Sequence, residues 1–215
     1  MKSYVVVGLG RFGAEVARQL HALGCEVLAM DVDPELVQES TNSVTHAVVG
    51  DGRDKGVLKA LGVRELDCAI IAIGDDLAAS VLVTMNMKEL GIKHIVCKAH
   101  DDTHRRVLEK LGADRVVIPE QENAARLARS LSYPNVLDYI ELSDEYGIIE
   151  VPVPKNWHGK TLKELNVRAK LGVNILAIRR EGRINVSPGA DFAFCEGDVV
   201  VVLGDSIALK AVQKL

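Results

Sequence analysis

No apolar run in this chain is long enough to span a bilayer; the longest, such as Cys68–Ile73 and Val199–Leu203, are of strand length. Any link to a membrane therefore has to pass through a partner protein. No signal-peptide pattern is expected either, since the apolar residues that begin at Tyr4 are broken by glycine from Gly8. A surplus of positive charge is also missing: the formal net charge is -4, where a general nucleic-acid binder would show a basic face. Paired cysteines are absent. The four cysteines, Cys25, Cys68, Cys97 and Cys195, are scattered without a CxxC, each in an apolar run, and read as reduced thiols packed in a cytosolic core. What is present is an ordinary globular balance, 48% apolar and 26% charged, in 215 residues. That length can bury one large core or two smaller ones.

From Lys2 to about Pro119, β-branched runs alternate with helical patterns. The expected strands are Tyr4–Val7, Glu26–Met30, Ala47–Val49, Cys68–Ile73, His94–Lys98 and Arg115–Ile118, with amphipathic stretches between them at Arg11–Leu23, Asp76–Leu90 and Asp102–Leu111. Most of these strands are continuously apolar, as a parallel sheet covered on both faces requires. Gly24, Gly62, Gly91 and Gly112 stand where helices should end. The pattern predicts an α/β fold, a Rossmann-type doubly wound parallel sheet.

After this sheet the pattern changes. Gln121–Leu131 is helical, with Ala124, Leu127, Ala128 and Leu131 on one face, and Ser132-Tyr133-Pro134-Asn135 breaks it. Beyond Tyr146 come Pro152 and Pro154, a short helix near Thr161–Leu165, strands at Asn174–Ile178, Arg183–Val186 and Asp198–Leu203, and a helix over Asp205–Lys214. We expect residues 1–132 to form the nucleotide domain with its connecting helix, 133–145 a linker or helical connector, and 146–215 a small α+β domain.

The chemistry begins at Gly8-Leu9-Gly10-Arg11-Phe12-Gly13. A lone GxGxxG is a weak signal, but this one follows an apolar strand, opens a helix and is followed by Asp31 at the end of the second strand. Gly8 suits the tight turn, Gly10 lets backbone approach phosphates, and Gly13 permits close helix–strand packing. The helix beginning near Arg11 aims free N–H groups and partial positive charge at the phosphates. Asp31 can accept from both ribose hydroxyls and would repel a 2′-phosphate, which disfavours NADP. Arg11 can reach a phosphate oxygen or remain a solvated helix-start arginine. Asp51, in Gly50-Asp51-Gly52, falls beside the adenine position of Rossmann domains or is a plain turn residue. Asp75 or Asp76, after Gly74, reads first as a helix cap. Glu120 and Glu122 are first-turn carboxylates or a metal- or phosphate-linked pair.

Catalytic motifs are missing as well. The chain contains no YxxxK, GxSxG or HExxH. His100 and His104 are spaced by four, but no third ligand accompanies them. A hydride-transfer enzyme needs an acid or base over the nicotinamide, and the C-terminal module offers only His158 and scattered lysines.

With these residues in view, the sequence resembles the cytosolic RCK (regulator of potassium conductance) regulatory subunits of bacterial Ktr/Trk potassium-uptake systems, of the KtrA type. The likeness rests on the glycine turn, Asp31, Gly50-Asp51 and Pro119-Glu120. It continues through Asn135-Val136-Leu137, Leu142-Ser143-Asp144-Glu145-Tyr146, Leu165-Asn166-Val167-Arg168-Ala169-Lys170 and Glu196-Gly197-Asp198, over essentially the whole chain. One departure is Gly52-Arg53, where the family often has Ala-Thr.

The resemblance implies a non-enzymatic subunit that binds ATP and ADP, with Arg11 on the terminal phosphate and Asp31 on the ribose. It implies Glu120 near a divalent cation such as Mg shared between subunits. It also implies cyclic di-AMP in the C-terminal domain, near Arg168 and Pro188. The nucleotide-site residues marked in this way are Gly8, Gly10, Arg11, Phe12, Gly13, Asp31, Asp51, Gly52, Ile73, Gly74 and Glu120. The implied partner is a membrane potassium-translocating subunit, reached from the cytoplasm by homodimers assembled into an octameric ring. A TrkA-style NAD/NADH-binding regulator shares this fold and differs in ligand, and an NAD-dependent oxidoreductase is the enzymatic alternative.

Overall fold

Val5, Val6 and Val7 point alternately to the two faces of their strand, yet all three are buried. Such a strand needs cover on both sides. In the computed structural model, which describes residues 2–132, 137–143 and 145–213, that cover is helical. The strands are β1 (Ser3–Val7), β2 (Glu26–Asp31), β3 (His46–Val49), β4 (Cys68–Ile71), β5 (His94–Lys98) and β6 (Arg115–Val117). They pair in parallel in the order β3-β2-β1-β4-β5-β6. Between and after them run α1 (Arg11–Ala22), α2 (Pro34–Ser40), α3 (Lys55–Ala60), α4 (Leu77–Leu90), α5 (Asp102–Lys110) and α6 (Pro119–Ser132).

One layer packs Val5, Val7, Met30 and Ile71 against Val83, Met87 and Leu108. The other packs Val6, Ala29 and Ile70 against Ala17 and Val37. The doubly wound Rossmann sheet is thus as the sequence predicts. Because β1 lies between β2 and β4, crossovers leave to both sides of it, and a crevice opens at the carboxyl ends of those strands. The glycines expected to end helices have positive φ, Gly91 closing α4 at +82°. β4 stops at Ile71, two residues short of the apolar run. Ala72 and Ile73 instead line the crevice. Their apolar character does not mark that change of role.

The chain divides into two compact units, residues 1–122 and 123–215. The second contains β7 (Asp138–Glu141), β8 (Tyr146–Pro152), α7 (Leu162–Leu165), α8 (Val167–Leu171), β9 (Asn174–Arg180), β10 (Arg183–Asn185), β11 (Val199–Asp205) and α9 (Ser206–Gln213). Its sheet is antiparallel, ordered β10-β9-β11-β8-β7. Burial alternates along β11, so one face carries the core: Ile149, Val151, Val200 and Val202 beneath Trp157, Leu165 and Leu209.

Four details differ from expectation or lie beyond it. β7 forms within the stretch read as a linker or helical connector; it is a short edge strand with two exposed residues, too little pattern to recognise. α8 follows α7 directly, because Asn166 adopts φ +42° between them. Cys195 is exposed, not packed in a core, because it sits in the turn before β11; Cys25 and Cys68 are half-buried and Cys97 is buried. The expected break at Tyr133–Asn135, the motif residues Val136 and Asp144, and Lys214 lie outside the described residues. On α6, Leu127 and Leu131 are 59% and 76% exposed. Among the described residues, no helix is long and apolar enough to cross a membrane.

Candidate nucleotide site

The glycine turn connects β1 to α1, and each glycine has a separate reason to be there. Gly8 has φ +95°, and a Cβ on it would lie 3.1 Å from the Ala72 carbonyl. A Cβ on Gly13 would overlap the Gly8 carbonyl oxygen at 1.8 Å, so nothing larger fits. Around Gly10 the space is open to 4 Å. Gly10 also caps α1 without a side-chain hydrogen bond, and no acidic residue occupies the first turn. That helix start is therefore electropositive and open to an anion.

Gly8 and Gly10 form one wall of a cavity of about 330 Å³ that also includes Asp31, Val32 and residues 50–53. Ala72, Ile73, Gly74, Asp75 and Asp76 also line it. The Asp31 carboxylate is braced by the chain: Oδ2 accepts from Leu9 N–H at 2.5 Å and Oδ1 from Asp33 N–H at 2.9 Å. A carboxylate has about four acceptor sites, so both oxygens retain capacity for ribose hydroxyls. Asp51 is engaged by Arg53, whose Nε and Nη2 donate to it at 2.8–3.0 Å and hold its carboxyl below the usual range. Asp76 accepts from Ala79 N–H at 2.9 Å and caps α4, which is the structural role expected for one of the pair.

Arg11, Phe12, Gly13 and Glu120 do not line this cavity. Glu120 pairs with Lys98 at the end of β5, Nζ to Oε1 at 2.9 Å, and the same ammonium stands 5.9 Å from the centroid of the Phe12 ring. Lys98 holds the Glu120 carboxyl below the ordinary range, with Arg11 contributing at longer reach. A Cβ on Gly74 would come within 3.2 Å of Lys98 Nζ. The structure therefore gathers Arg11, Phe12, Lys98 and Glu120 next to the Gly74 end of the cavity. Sequence reading missed Lys98. A charged residue closing a buried parallel strand, on the ligand-facing edge, was the available signal.

Glu120 alone does not make a metal site. Among the described residues, no group of three or more His, Cys, Asp or Glu could hold an ion, and a divalent cation takes about six oxygen ligands. Further ligands would have to come from beyond the described residues, solvent included. His104 is a core residue: Nε2 meets Ser80 Oγ at 3.1 Å and Nδ1 accepts from His100 N–H at 3.3 Å. Burial pushes its pKa down.

In the second unit, Arg168 is exposed on α8 and Pro188 is half-buried in the loop after β10. Lys163 N–H donates to the Ala190 carbonyl, tying that loop to α7. Asp198, from the Glu196-Gly197-Asp198 motif, is buried and receives Arg180 Nε and Nη2 at 2.7 and 2.6 Å and Cys195 N–H at 2.8 Å. It therefore fastens the turn into β11.

The fold and crevice define a class: a Rossmann-type lobe with a nucleotide-binding edge, followed by a small α+β lobe. The TrkA-N domain model matches residues 4–119 and the TrkA-C domain model residues 148–215. The chain is 43% identical to Ktr system potassium uptake protein C of Bacillus subtilis, over 99% of this chain and 96% of that protein. It is 43% identical to Ktr system potassium uptake protein A of the same organism, over 97% and 94%. Protein A of Vibrio alginolyticus is 35% identical over 97% and 96%. The GsuK RCK domain superposes on the whole chain with TM-score 0.64 at 19% identity, and this chain spans 47% of it. The chain belongs to the RCK-domain, KtrA-like regulatory subunits of bacterial Ktr/Trk potassium-uptake systems.

Proposed function

We propose that this protein is a non-enzymatic cytoplasmic subunit that reads ATP against ADP and gates a membrane potassium-translocating partner. The observation that carries the reading is the pairing of two features. Gly8 and Gly10 of the glycine turn line one cavity with Asp31, and Arg11, Lys98 and Glu120 gather at its Gly74 end. ATP and ADP share their adenosine and two phosphates, so only contacts with the terminal phosphate can bias a conformational equilibrium between them. Arg11 is the residue assigned to that phosphate, and Asp31 to the ribose. The exposed Leu127 and Leu131 face of α6 is assigned to a second copy of the chain, and such dimers to a ring beneath the transporter. Cyclic di-AMP, through Arg168 and Pro188, is assigned to the C-terminal lobe as an independent input. The coupling required is about 1–3 kcal/mol.

The test is calorimetry with ATP, ADP, AMP, NAD and NADH on wild type and Arg11→Ala, on protein whose solution mass is established by light scattering. Arg11→Ala is expected to weaken ATP more than ADP and to leave AMP unchanged. Equal losses for ATP and ADP would place Arg11 elsewhere, and preferential NADH binding by the wild type would replace the ATP reading with the NAD(H) one. A monomer at micromolar concentration would overturn the assembly. Potassium flux through the reconstituted partner, equal with ATP and ADP, would reduce the nucleotide to a structural cofactor.

A further inference from the structure

Among the described residues lining the crevice, Arg53 is the one cation, set against Asp31, Asp51, Asp75 and Asp76. Its loop is held at both levels. Gly50 N–H donates to the Asp31 carbonyl at 2.8 Å, so the loop starts beside the residue assigned to the ribose. The Asn86 amide on α4 donates to the Arg53 and Gly52 carbonyls at 2.9 and 3.3 Å. Gly52 is pressed onto the sheet: a Cβ there would stand 3.0 Å from Val7 Cγ1 and 3.1 Å from Val83 Cγ2.

The side chain is ordered too. Nε donates to both Asp51 oxygens at 2.9 and 3.0 Å, and Nη2 to Oδ2 at 2.8 Å. One edge of the guanidinium is thereby held by a carboxylate, while half of the side chain stays exposed. Val32, the residue after Asp31, lines the same crevice with an apolar side chain that is 59% exposed. A planar cation already ordered by a carboxylate stacks on an aromatic face at reduced entropic cost. Every nucleobase offers such a face, so stacking of this kind is indifferent to the phosphates.

We propose that Arg53 is the base-stacking residue of this crevice, positioned by Asp51, and that it sets affinity for the adenosine moiety whatever the number of phosphates attached. The inference rests on the crevice being an adenine-nucleotide site. It assigns Asp51 to Arg53 instead of to the base, and divides the ligand between two cationic ends. Arg53 serves the base, and the Arg11 and Lys98 cluster serves the phosphates.

The test is calorimetry of ATP, ADP and AMP on full-length wild type, Arg53→Ala, Arg53→Lys and Arg53→Trp, with the ligand-free melting temperature as the folding control. Arg53→Ala is expected to weaken all three nucleotides by the same factor, on the order of tenfold. Lys lacks the plane and does not restore the loss, whereas Trp restores most of it. Asp51→Asn produces a smaller loss with the same indifference to phosphate number, and adds nothing in the Arg53→Ala background. A loss that grows from AMP to ATP and is restored by Lys would make Arg53 a charge for the phosphates and overturn the proposal. Unchanged affinity of Arg53→Ala beside a wild type that binds would overturn it alone. A wild type that binds none of the three nucleotides would overturn the nucleotide reading and this inference together.

Discussion

The two units bury similar apolar residues in opposite ways. In the first, a parallel sheet is covered on both faces, and its two core layers include Val5 and Val7 on one side and Val6 on the other. Polar chemistry is thereby displaced to the ends of the strands, where the crevice lies. In the second, an antiparallel sheet carries its core on one face, and burial along β11 alternates residue by residue. Its buried charge among the described residues, Asp198, fastens the turn into β11. Where charged groups go in each unit thus follows from how many faces of the sheet are covered.

Three substitutions, with Gly189→Ala as a control, sharpen that contrast, and Trp157 helps to read them, since it is the only tryptophan and is buried in the second unit. The largest effect is expected at Gly13. Gly13→Ala drives a methyl into the Gly8 carbonyl at 1.8 Å. It should destabilise the first unit by more than about 3 kcal/mol and abolish nucleotide binding. Gly189→Ala meets nothing within 4 Å and should stay within about 0.5 kcal/mol. Urea unfolding followed by circular dichroism and by Trp157 fluorescence separates the two units. Equal stability of Gly13→Ala and wild type would mean that the turn relaxes freely.

Asp198 comes next. Removing one partner of a buried ion pair costs about 3–5 kcal/mol, and the loss here should fall at or below the lower end because the Arg180 side chain is 40% exposed and can rehydrate. Arg180 holds the Asp198 carboxyl below its ordinary value. Its contribution is therefore fully present above the unfolded value of about 4 and is lost as pH falls through the folded one. In Asp198→Asn the Trp157 transition should be lower at neutral pH and flatter in acid. An acid limb as steep as that of wild type would assign the pH dependence to other carboxylates.

A smaller loss than at Gly13 or Asp198 is expected at Asp31, which touches ligand and turn together. Asp31→Ala should weaken every adenine nucleotide by about 1–3 kcal/mol, equally for ATP and ADP. Calorimetric affinities unchanged for both would remove Asp31 from the site. A loss confined to the ligand-free melting temperature would leave it as a brace for Leu9 and Asp33 alone.

Much of the first unit was legible because its signals are local. Continuous apolar runs, helix-ending glycines and GxGxxG followed by Asp31 each constrain backbone within a few residues. Lys98 was not legible, because its importance comes from Glu120 and Phe12, which reach it only when β5, α6 and the glycine turn converge. Arg53 was visible as a departure from the family pattern but not as a partner of Asp51 within the cavity. β7 was missed because a short edge strand is defined by its pairing with β8 more than by its own pattern.

By itself the sequence determined the class of sheet, the place of the phosphate turn and the order of the two lobes. Periodicity and backbone permissiveness are properties of neighbouring residues. Only the tertiary structure decided which charges are free and which are paired. Asp51 is held by Arg53, Glu120 by Lys98 and Asp198 by Arg180. An electrostatic partner is set by distance in space, and in two of these three pairs the residues lie far apart in sequence.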